Sequence, residues 1–277
     1  MTSIKVLAYA FKSKSFPSAI KNLLESSSGT TNIQIDVFDQ NNISRTNKFD
    51  SVHYNHIEWD LRNSKFIYRN FDNFDYTLIV NGSPTFEKDW DIRLIDFLNQ
   101  NKRSIISGNN ILSFDNEIKF YTKYTEEHAD NFYQTSWIRN TFLFGSTDIL
   151  KFSPDLKSIK YLGEEEVLSV WAYQNDIKVF CAPTDRYKVE ESDINRIDYI
   201  PFSIHHGYNR VIDIFIAENN IFNLSRQAAL ELGQQIGVDF SKINYLPFPT
   251  NDPTYDVKMQ LDDVGEERFI NTINSIY

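Results

Sequence analysis

The feature that most limits what this chain can fold into is the alternation of short apolar runs with helix-spaced stretches over its first hundred residues. Ile4 to Ala10 is almost continuous apolar sequence broken by Lys5, as expected of a strand buried on both faces. Pro17 then lies near the start of a stretch whose apolar positions Phe16, Ile20, Leu23 and Leu24 fall on one helical face, and proline is tolerated in a first turn. Ser26-Ser27-Ser28-Gly29 ends that helix, and Ile33, Ile35 and Val37 alternate with polar residues as a second strand does. Asp75 to Val80 gives another strand, closed by a turn at Asn81-Gly82-Ser83-Pro84. Trp90, Leu94 and Leu98 recur at helical spacing and place a helix over Asp89 to Gln100, and Arg103 to Ser107 gives a further strand. This order predicts an α/β domain with a largely parallel sheet. Ligands of such sheets bind beyond the carboxyl ends of the strands, which points to Ala10 to Ser13, Asp39-Gln40 and Asn81 to Ser83.

The pattern is poorer from about residue 110 to 160, which reads as loops and aromatic residues around Glu126-Glu127. Glu164 to Tyr173 is helical, with Val167, Leu168, Trp171 and Ala172 on one side, and Ile177 to Pro183 is strand-like. Ser225 to Gly237 carries Ala228, Ala229, Leu232 and Ile236 at helical spacing. After Tyr245 the prolines 247, 249 and 253 suggest irregular structure before a short final helix. Without repeats or a low-complexity linker, the simplest division is a catalytic-size domain over residues 1–222 and a C-terminal extension, 223–277, packed on it.

Composition narrows the class. A chain of 277 residues with 41% hydrophobic residues, 22 Phe and 15 Tyr can bury a large aromatic core and is not disordered. Its net charge of −10 repels nucleic acid and anionic membranes, and no Lys/Arg run tracks phosphates. The single cysteine, Cys181, sits in an apolar run and cannot form an internal disulfide. No apolar stretch approaches the roughly 20 residues that span a bilayer, and the first residues enter a strand without a signal-peptide pattern. The expectation is a cytoplasmic protein without a membrane partner.

Three local patterns bear on chemistry. Gly163-Glu164-Glu165-Glu166 stands at a loop-to-helix junction, where carboxylates favour the positive end of the helix dipole. His205-His206-Gly207-Tyr208-Asn209-Arg210 offers adjacent histidines, of which at most one faces a given site. Asn81-Gly82-Ser83 follows a buried strand, where a nucleotide-sugar enzyme would carry an Asp-any-Asp metal motif. Each alone has a plain structural reading: an acidic first turn, surface histidines, a turn.

In order along the chain they resemble glycosyltransferase family 60, whose members transfer GlcNAc from UDP-GlcNAc to hydroxyproline, together with its bacterial and viral relatives. Ile4 to Ser13 with Ala19 to Glu25 looks like the family's opening strand, loop and helix, and Val37-Phe38-Asp39-Gln40-Asn41 like its second strand ending in Gln. Phe74 to Ser83, Phe86 and Trp90-Asp91 follow its Tyr-Tyr-Leu-x-x-Asp-Ser-His, Phe and Gly-Trp-Asp segments. Phe144 to Leu168 resembles the stretch ending in Gly-Glu-Glu. Ala182-Pro183 and His206 to Arg210 resemble its Ala-Pro and Trp-His-x-Tyr-x-Arg motifs, and Ser225, Arg226 and Leu232-Gly233 continue the match. Coverage runs from residue 4 to about 235.

The resemblance implies a GT-A fold, a UDP-sugar donor, UDP-GlcNAc by family, and transfer with retention. It implies donor contacts at Ala10, Phe11, Lys12, Gln40, Arg62, Asn81, Ser83, His206 and Arg210, and acceptor or supporting roles for Trp90, Asp91 and Tyr208. Glu165, with Glu164 beside it, is the implied functional carboxylate, orienting or deprotonating the acceptor hydroxyl. The family holds a divalent cation (Mn²⁺ or Mg²⁺) with an Asp-x-His pair and a late histidine; here Asn81, Ser83 and His206 stand in those places, a degenerate set. Ser13 likewise replaces the family's Asp. Diphosphate charge would then fall to cations such as Lys12 and Arg62, giving a metal-independent enzyme.

Two alternatives stay open: a catalytically inactive GT-A binding module, favoured by Asn81 and Ser83, and a DNA-modifying transferase. The second follows from an Asn-, Ile- and Phe-rich composition like that of large bacteriophage proteins and would need a basic groove. A metal hydrolase fails because His53, His56 and His128 form no ligand cluster.

Overall fold

In the computed structural model, the residues described are 1–10, 16–39, 50–56, 73–81, 83–108, 131–139, 142–156, 164–183, 187–190, 213–214 and 220–236. The strands are β1 (Ser3–Ala10), β2 (Asn32–Asp39), β3 (Val52–His56), β4 (Tyr76–Asn81), β5 (Ser83–Phe86), β6 (Ser104–Ser107), β7 (Tyr133–Thr135), β8 (Phe142–Ser146), β9 (Lys178–Cys181) and β10 (Tyr187–Glu190). The helices are α1 (Phe16–Glu25), α2 (Trp90–Gln100), α3 (Thr147–Leu150), α4 (Glu164–Gln174) and α5 (Arg226–Ile236).

Eight strands form one sheet in the order β3-β2-β1-β4-β8-β6-β9-β7, and β5 pairs with β10 in a second, two-stranded sheet. The pairs β1–β2, β1–β4, β2–β3 and β6–β9 are parallel, while β8 and β7 run antiparallel to their neighbours. The mainly parallel α/β architecture expected from the sequence is present.

Alternation within β1 explains the layering. Ile4, Val6 and Ala8 pack with Ile20 and Leu23 of α1, Phe86 of β5 and Trp90, Leu94 and Leu98 of α2. Leu7 and Tyr9, on the other face, pack with Val167, Leu168 and Trp171 of α4 and Ala229 and Leu232 of α5. Burying a large aliphatic or aromatic side chain of this kind is worth about 1.5–3 kcal/mol. Helix α4 is buried nearly all round, Val167 through Ala172 without exception, which is why its sequence shows little amphipathic contrast. Phe222 and Leu224, on either side of the expected boundary at residue 222, belong to the same core as α4, so α5 is built into the domain.

Two findings correct the sequence reading. The stretch between residues 110 and 160 expected to be loops contains β7, β8 and α3. Phe142, Leu143 and Phe144 of β8 are fully buried between β4 and β6. A three-residue apolar run is too short to separate from a loop without its partners. The turn expected at Asn81 to Pro84 is strand on either side of Gly82: Asn81 ends β4, and Ser83 starts β5, whose partner β10 lies a hundred residues on and leaves no local signal.

One polar contact lies inside this packing. Lys5, on β1, is 3% exposed and its Nζ stands 2.6 Å from the Asp36 carboxylate on β2. Removing one member of a buried pair strands the other charge, typically costing 3–5 kcal/mol, whereas replacing both by apolar groups is often neutral. Asp36→Ala should therefore lower stability by about 3 kcal/mol in urea unfolding, and Lys5→Met with Asp36→Leu should recover most of that loss. Equal loss in the single and double variants would contradict the pairing argument.

Candidate active site at the carboxyl edge of the sheet

Parallel pairing brings the carboxyl ends of β1 to β4 to one edge, with Ala10 beside Asp39, Asp39 beside His56, and Tyr9 beside Asn81. The chain winds from β1 to β2 and β3 on one side and returns to β4 on the other. The crevice between the ends of β1 and β4 is thus the topological switch point, where open α/β sheets bind ligands. Ala10 and Asn81 flank it. Phe11, Lys12, Gln40, Arg62, His206, Tyr208 and Arg210 lie outside the described residues, as does Ser13.

The acidic turn reaches the same edge from the other half of the sheet. Helix α4 leads through Asn175 and Asp176 into β9, whose first residue Lys178 pairs with Ser104 at the amino end of β6. An eleven-residue helix antiparallel to β9 rises about 16 Å, so its first turn returns to the carboxyl edge. Glu164 is buried, and Glu165 and Glu166 are partly buried there.

Glu165 is held by Arg139, which sequence reasoning missed. The Arg139 guanidinium Nη1 donates to Glu165 Oε2 at 3.0 Å, with both side chains largely buried. The segment carrying Arg139 is fixed by two buried serines. Ser107, at the end of β6, accepts from Arg139 N–H at 2.6 Å, and its hydroxyl lies 3.2 Å from the Arg139 carbonyl. Ser169 in α4 accepts from Ile138 N–H at 2.9 Å and donates to the Glu165 carbonyl at 2.6 Å. β6 is two strands from β4, so the Ser107 end of this network is roughly 10 Å across the sheet from Asn81. Nothing in the local pattern of Trp137-Ile138-Arg139 announces this role, since its partners lie 26 to 32 residues away.

Glu166 differs from its neighbours. Desolvation pushes its carboxyl up to about 7, against a backbone hydrogen bond that favours the charged form. It is therefore a carboxylate with proton affinity near neutrality. The Cys181 thiol, at the end of β9, is raised by burial and donates to the Gly108 carbonyl at 3.8 Å, a packed and unreactive sulfur.

Trp90 and Asp91 lie elsewhere. Trp90 is fully buried and its Nε1 donates to the Leu23 carbonyl at 2.9 Å. The Asp91 carboxylate accepts from Ser28 N–H at 2.8 Å, from Ser28 Oγ at 2.7 Å and from Thr31 Oγ1. Gly29, at φ 73°, makes the turn that brings Ser28 and Thr31 to one carboxylate. These partners immediately precede Asn32, the first residue of β2, so the pair sits at the amino end of the sheet. That is the far end from Ala10 and Asn81. Expected as site support, Trp90 and Asp91 instead pin the α1–β2 connection to α2. Burial pushes the Asp91 carboxyl up, but the bonds from Thr31 and Ser28 outweigh it and hold it below the usual range.

Among the described residues no group of three His, Cys, Asp or Glu side chains is placed to hold a metal ion, and no helix is long and apolar enough to cross a membrane.

An open, mostly parallel sheet with helices on both faces and a switch point at β1 and β4 is the fold class this chain belongs to. Its architecture matches the fold of S. aureus TarS. The crystal structure of S. aureus TarS residues 1–349 in complex with UDP-GlcNAc is similar over 97% of this chain and 83% of that one, with a TM-score of 0.58 at 12% identity. The same protein in complex with UDP matches 85% of this chain and 70% of that one (TM-score 0.55, 10% identity). A further crystal structure of TarS 1–349 matches 98% of this chain and 80% of that one (TM-score 0.51, 13% identity). No protein-family model and no curated protein matches the sequence.

The shifted carboxyls of Glu166 and Asp91 set two expected outcomes. Because Glu166 has its folded pKa raised from 4.5 to about 7, its contribution to stability is full below about 4.5 and is lost as pH rises through 7. Glu166→Gln should therefore gain on the wild type by several degrees in Tm between pH 5 and pH 8, and a pH-independent difference would contradict the burial argument. For Asp91 the sign reverses: its stabilisation is present above the ordinary carboxylate pKa and is lost in acid. Asp91→Ala should lower stability by about 2 kcal/mol at pH 7 by stranding its donors, with less difference below pH 3 and no change in ligand affinity at the carboxyl edge.

Proposed function

We propose that this chain is a glycosyltransferase that moves a sugar from a UDP-sugar to a hydroxyl acceptor across the carboxyl edge of its sheet. The observation that carries the reading is that one edge holds both the β1–β4 crevice and a buried, ion-paired carboxylate, Glu165. The fold is shared with TarS, solved with UDP-GlcNAc. UDP-GlcNAc is accordingly the first donor to test, on this likeness and on the family 60 resemblance of the motifs.

In this reading the nucleotide lies over Ala10 and Asn81, with Lys12, Gln40, Arg62, His206 and Arg210 contributing donor contacts and Tyr208 the acceptor side. The acceptor oxygen forms a bond to the anomeric carbon as the bond to the diphosphate breaks and UDP departs. Glu165, fixed by Arg139, orients the acceptor hydroxyl, while the raised affinity of Glu166 suits a group that takes up its proton. The donor set at the expected metal position does not fit a hard divalent cation, since Asn81 and Ser83 supply an amide and a hydroxyl where a carboxylate and imidazole are needed. Transfer is therefore proposed to be independent of Mn²⁺ and Mg²⁺, the diphosphate charge being met by side-chain cations. Retention, implied by the family resemblance, is read from the anomeric coupling of the product.

The same Asn81 and Ser83 favour a second reading, a GT-A-shaped module that binds without turnover. A panel of sugar nucleotides, scored by thermal shift and donor hydrolysis in Mn²⁺ and in EDTA, separates the two. The transferase reading expects stabilisation by one UDP-sugar, turnover that survives EDTA, and a roughly 100-fold or greater fall in kcat for Glu165→Gln with donor affinity unchanged. Binding without hydrolysis or transfer supports the module; no binding to any nucleotide sugar sinks both.

A further inference from the structure

A second cleft lies at the other end of α4 from its acidic first turn. Among the described residues it has a volume of about 660 Å³ and is formed by β7, the end of α4 with the start of β9, and the exposed side of α5. Its size falls within the range of small-molecule sites, but its lining is unlike an apolar pocket. Four glutamines face it, Gln134 from β7, Gln174 from α4, and Gln227 and Gln235 from α5. Their primary amides each offer two donors and an acceptor on a flat, uncharged group.

The remaining polar groups are already oriented by one another. Tyr173 Oη donates to Glu231 at 3.2 Å, Gln227 Nε2 donates to the other Glu231 oxygen at 2.8 Å, and Ser136 Oγ donates to Gln235 at 3.3 Å. Gln174 accepts from Ser225 N–H at 2.6 Å. The ionisable side chains of the lining are Asp176, Glu231, Lys178 and Tyr173, so formal charge is one cation against two anions at neutral pH. That balance disfavours a phosphorylated or nucleic-acid ligand. An apolar peptide fits poorly too, because the amides would lose water without gaining partners. The ligand class that answers flat amides, hydroxyls and one aromatic ring at once is an uncharged polyhydroxylated one.

We propose that this cleft binds a neutral oligosaccharide, at a site separate from the donor crevice. Tyr173 lies eight residues beyond Glu165 on the same helix, about 12 Å along its axis. A glycan held here is therefore set off from the carboxyl edge by a fixed length of α4. The proposal does not depend on transferase activity, because the site is assembled from groups the donor crevice does not use.

The test is titration of the full chain with maltotetraose, cellotetraose and chitotetraose in the absence of nucleotide, by calorimetry and by amide chemical shifts. The expected result is saturable binding of at least one, weakened about tenfold in the double variant Gln227→Ala, Gln235→Ala, with the thermal shift by UDP-sugar unchanged. Both side chains are exposed on α5, so the variant should fold, which its melting curve checks. Saturable binding that the double variant leaves intact overturns the assignment. So does the absence of binding by all three sugars, or competition by inorganic polyphosphate as strong as by sugar.

Discussion

Strand β1 is paired along both edges and buried on both faces, and much of the molecule's arrangement follows from that constraint. Its partners are β2 and β4, both parallel, so neither is joined to it by a tight hairpin, and the connection to β2 carries α1. Its two rows of side chains, Ile4-Val6-Ala8 and Leu7-Tyr9, found two separate cores, one under α1 and α2 and one under α4 and α5. Lys5 is the charged exception, and a lone ammonium there would be untenable; Asp36 on the adjoining strand makes it tolerable and also penalises any slip of register between β1 and β2. At the amino end Asp75 accepts from Ser3 N–H and Oγ at 2.8 and 2.9 Å, tying the starts of β1 and β4. The register of the strands flanking the switch point is thus set at the opposite end of the sheet from the crevice.

The far half of the sheet solves a different problem. β8 runs against both β4 and β6 and begins at the carboxyl edge. The segment before it, Trp137 to Arg139, therefore crosses that edge beside Ser107, and Arg139 meets the start of α4. Ser107 and Ser169 are each almost completely buried and each bonded to this segment, so the Ile138 N–H and the Arg139 N–H and carbonyl of a buried connection are met by two small side chains. Glu165 thus stands in the first turn of α4 and is held by Arg139, whose segment is anchored to β6 and α4 through Ser107 and Ser169.

How much of this was legible depends on how far apart the partners lie. Elements with a local period were read to within a residue or two: β1, α1, β2, β4, α2, β6, α4, β9 and α5 all fall where apolar spacing put them. β3, β5, β7, β8 and β10 were not, because they are short or polar and owe their existence to strands far along the chain. Val52-His53-Tyr54-Asn55-His56 has little apolar pattern, and only pairing with β2 makes it a strand. In the site, the Gly-Glu-Glu-Glu run marked the correct helix end, while Arg139 carried no local signal. Trp90-Asp91 was misleading for the opposite reason: a buried aromatic beside a carboxylate looks functional in a sequence, yet here every oxygen of that carboxylate is engaged by the α1–β2 turn.

The acidic turn also limits where an anionic donor could sit. A free helix N-terminus attracts phosphate, but α4 begins with three glutamates, so its positive end is already met by its own side chains. Arg139, a buried cation of this half, is ion-paired with Glu165. A diphosphate placed over β6 and β9 would meet these glutamates, and the end of β4 is two strands, roughly 10 Å, across the sheet from that of β6. On the transferase proposal, a chain carrying −10 overall leaves the charge of a departing diphosphate to cations elsewhere in the sequence, such as Lys12, which follows β1.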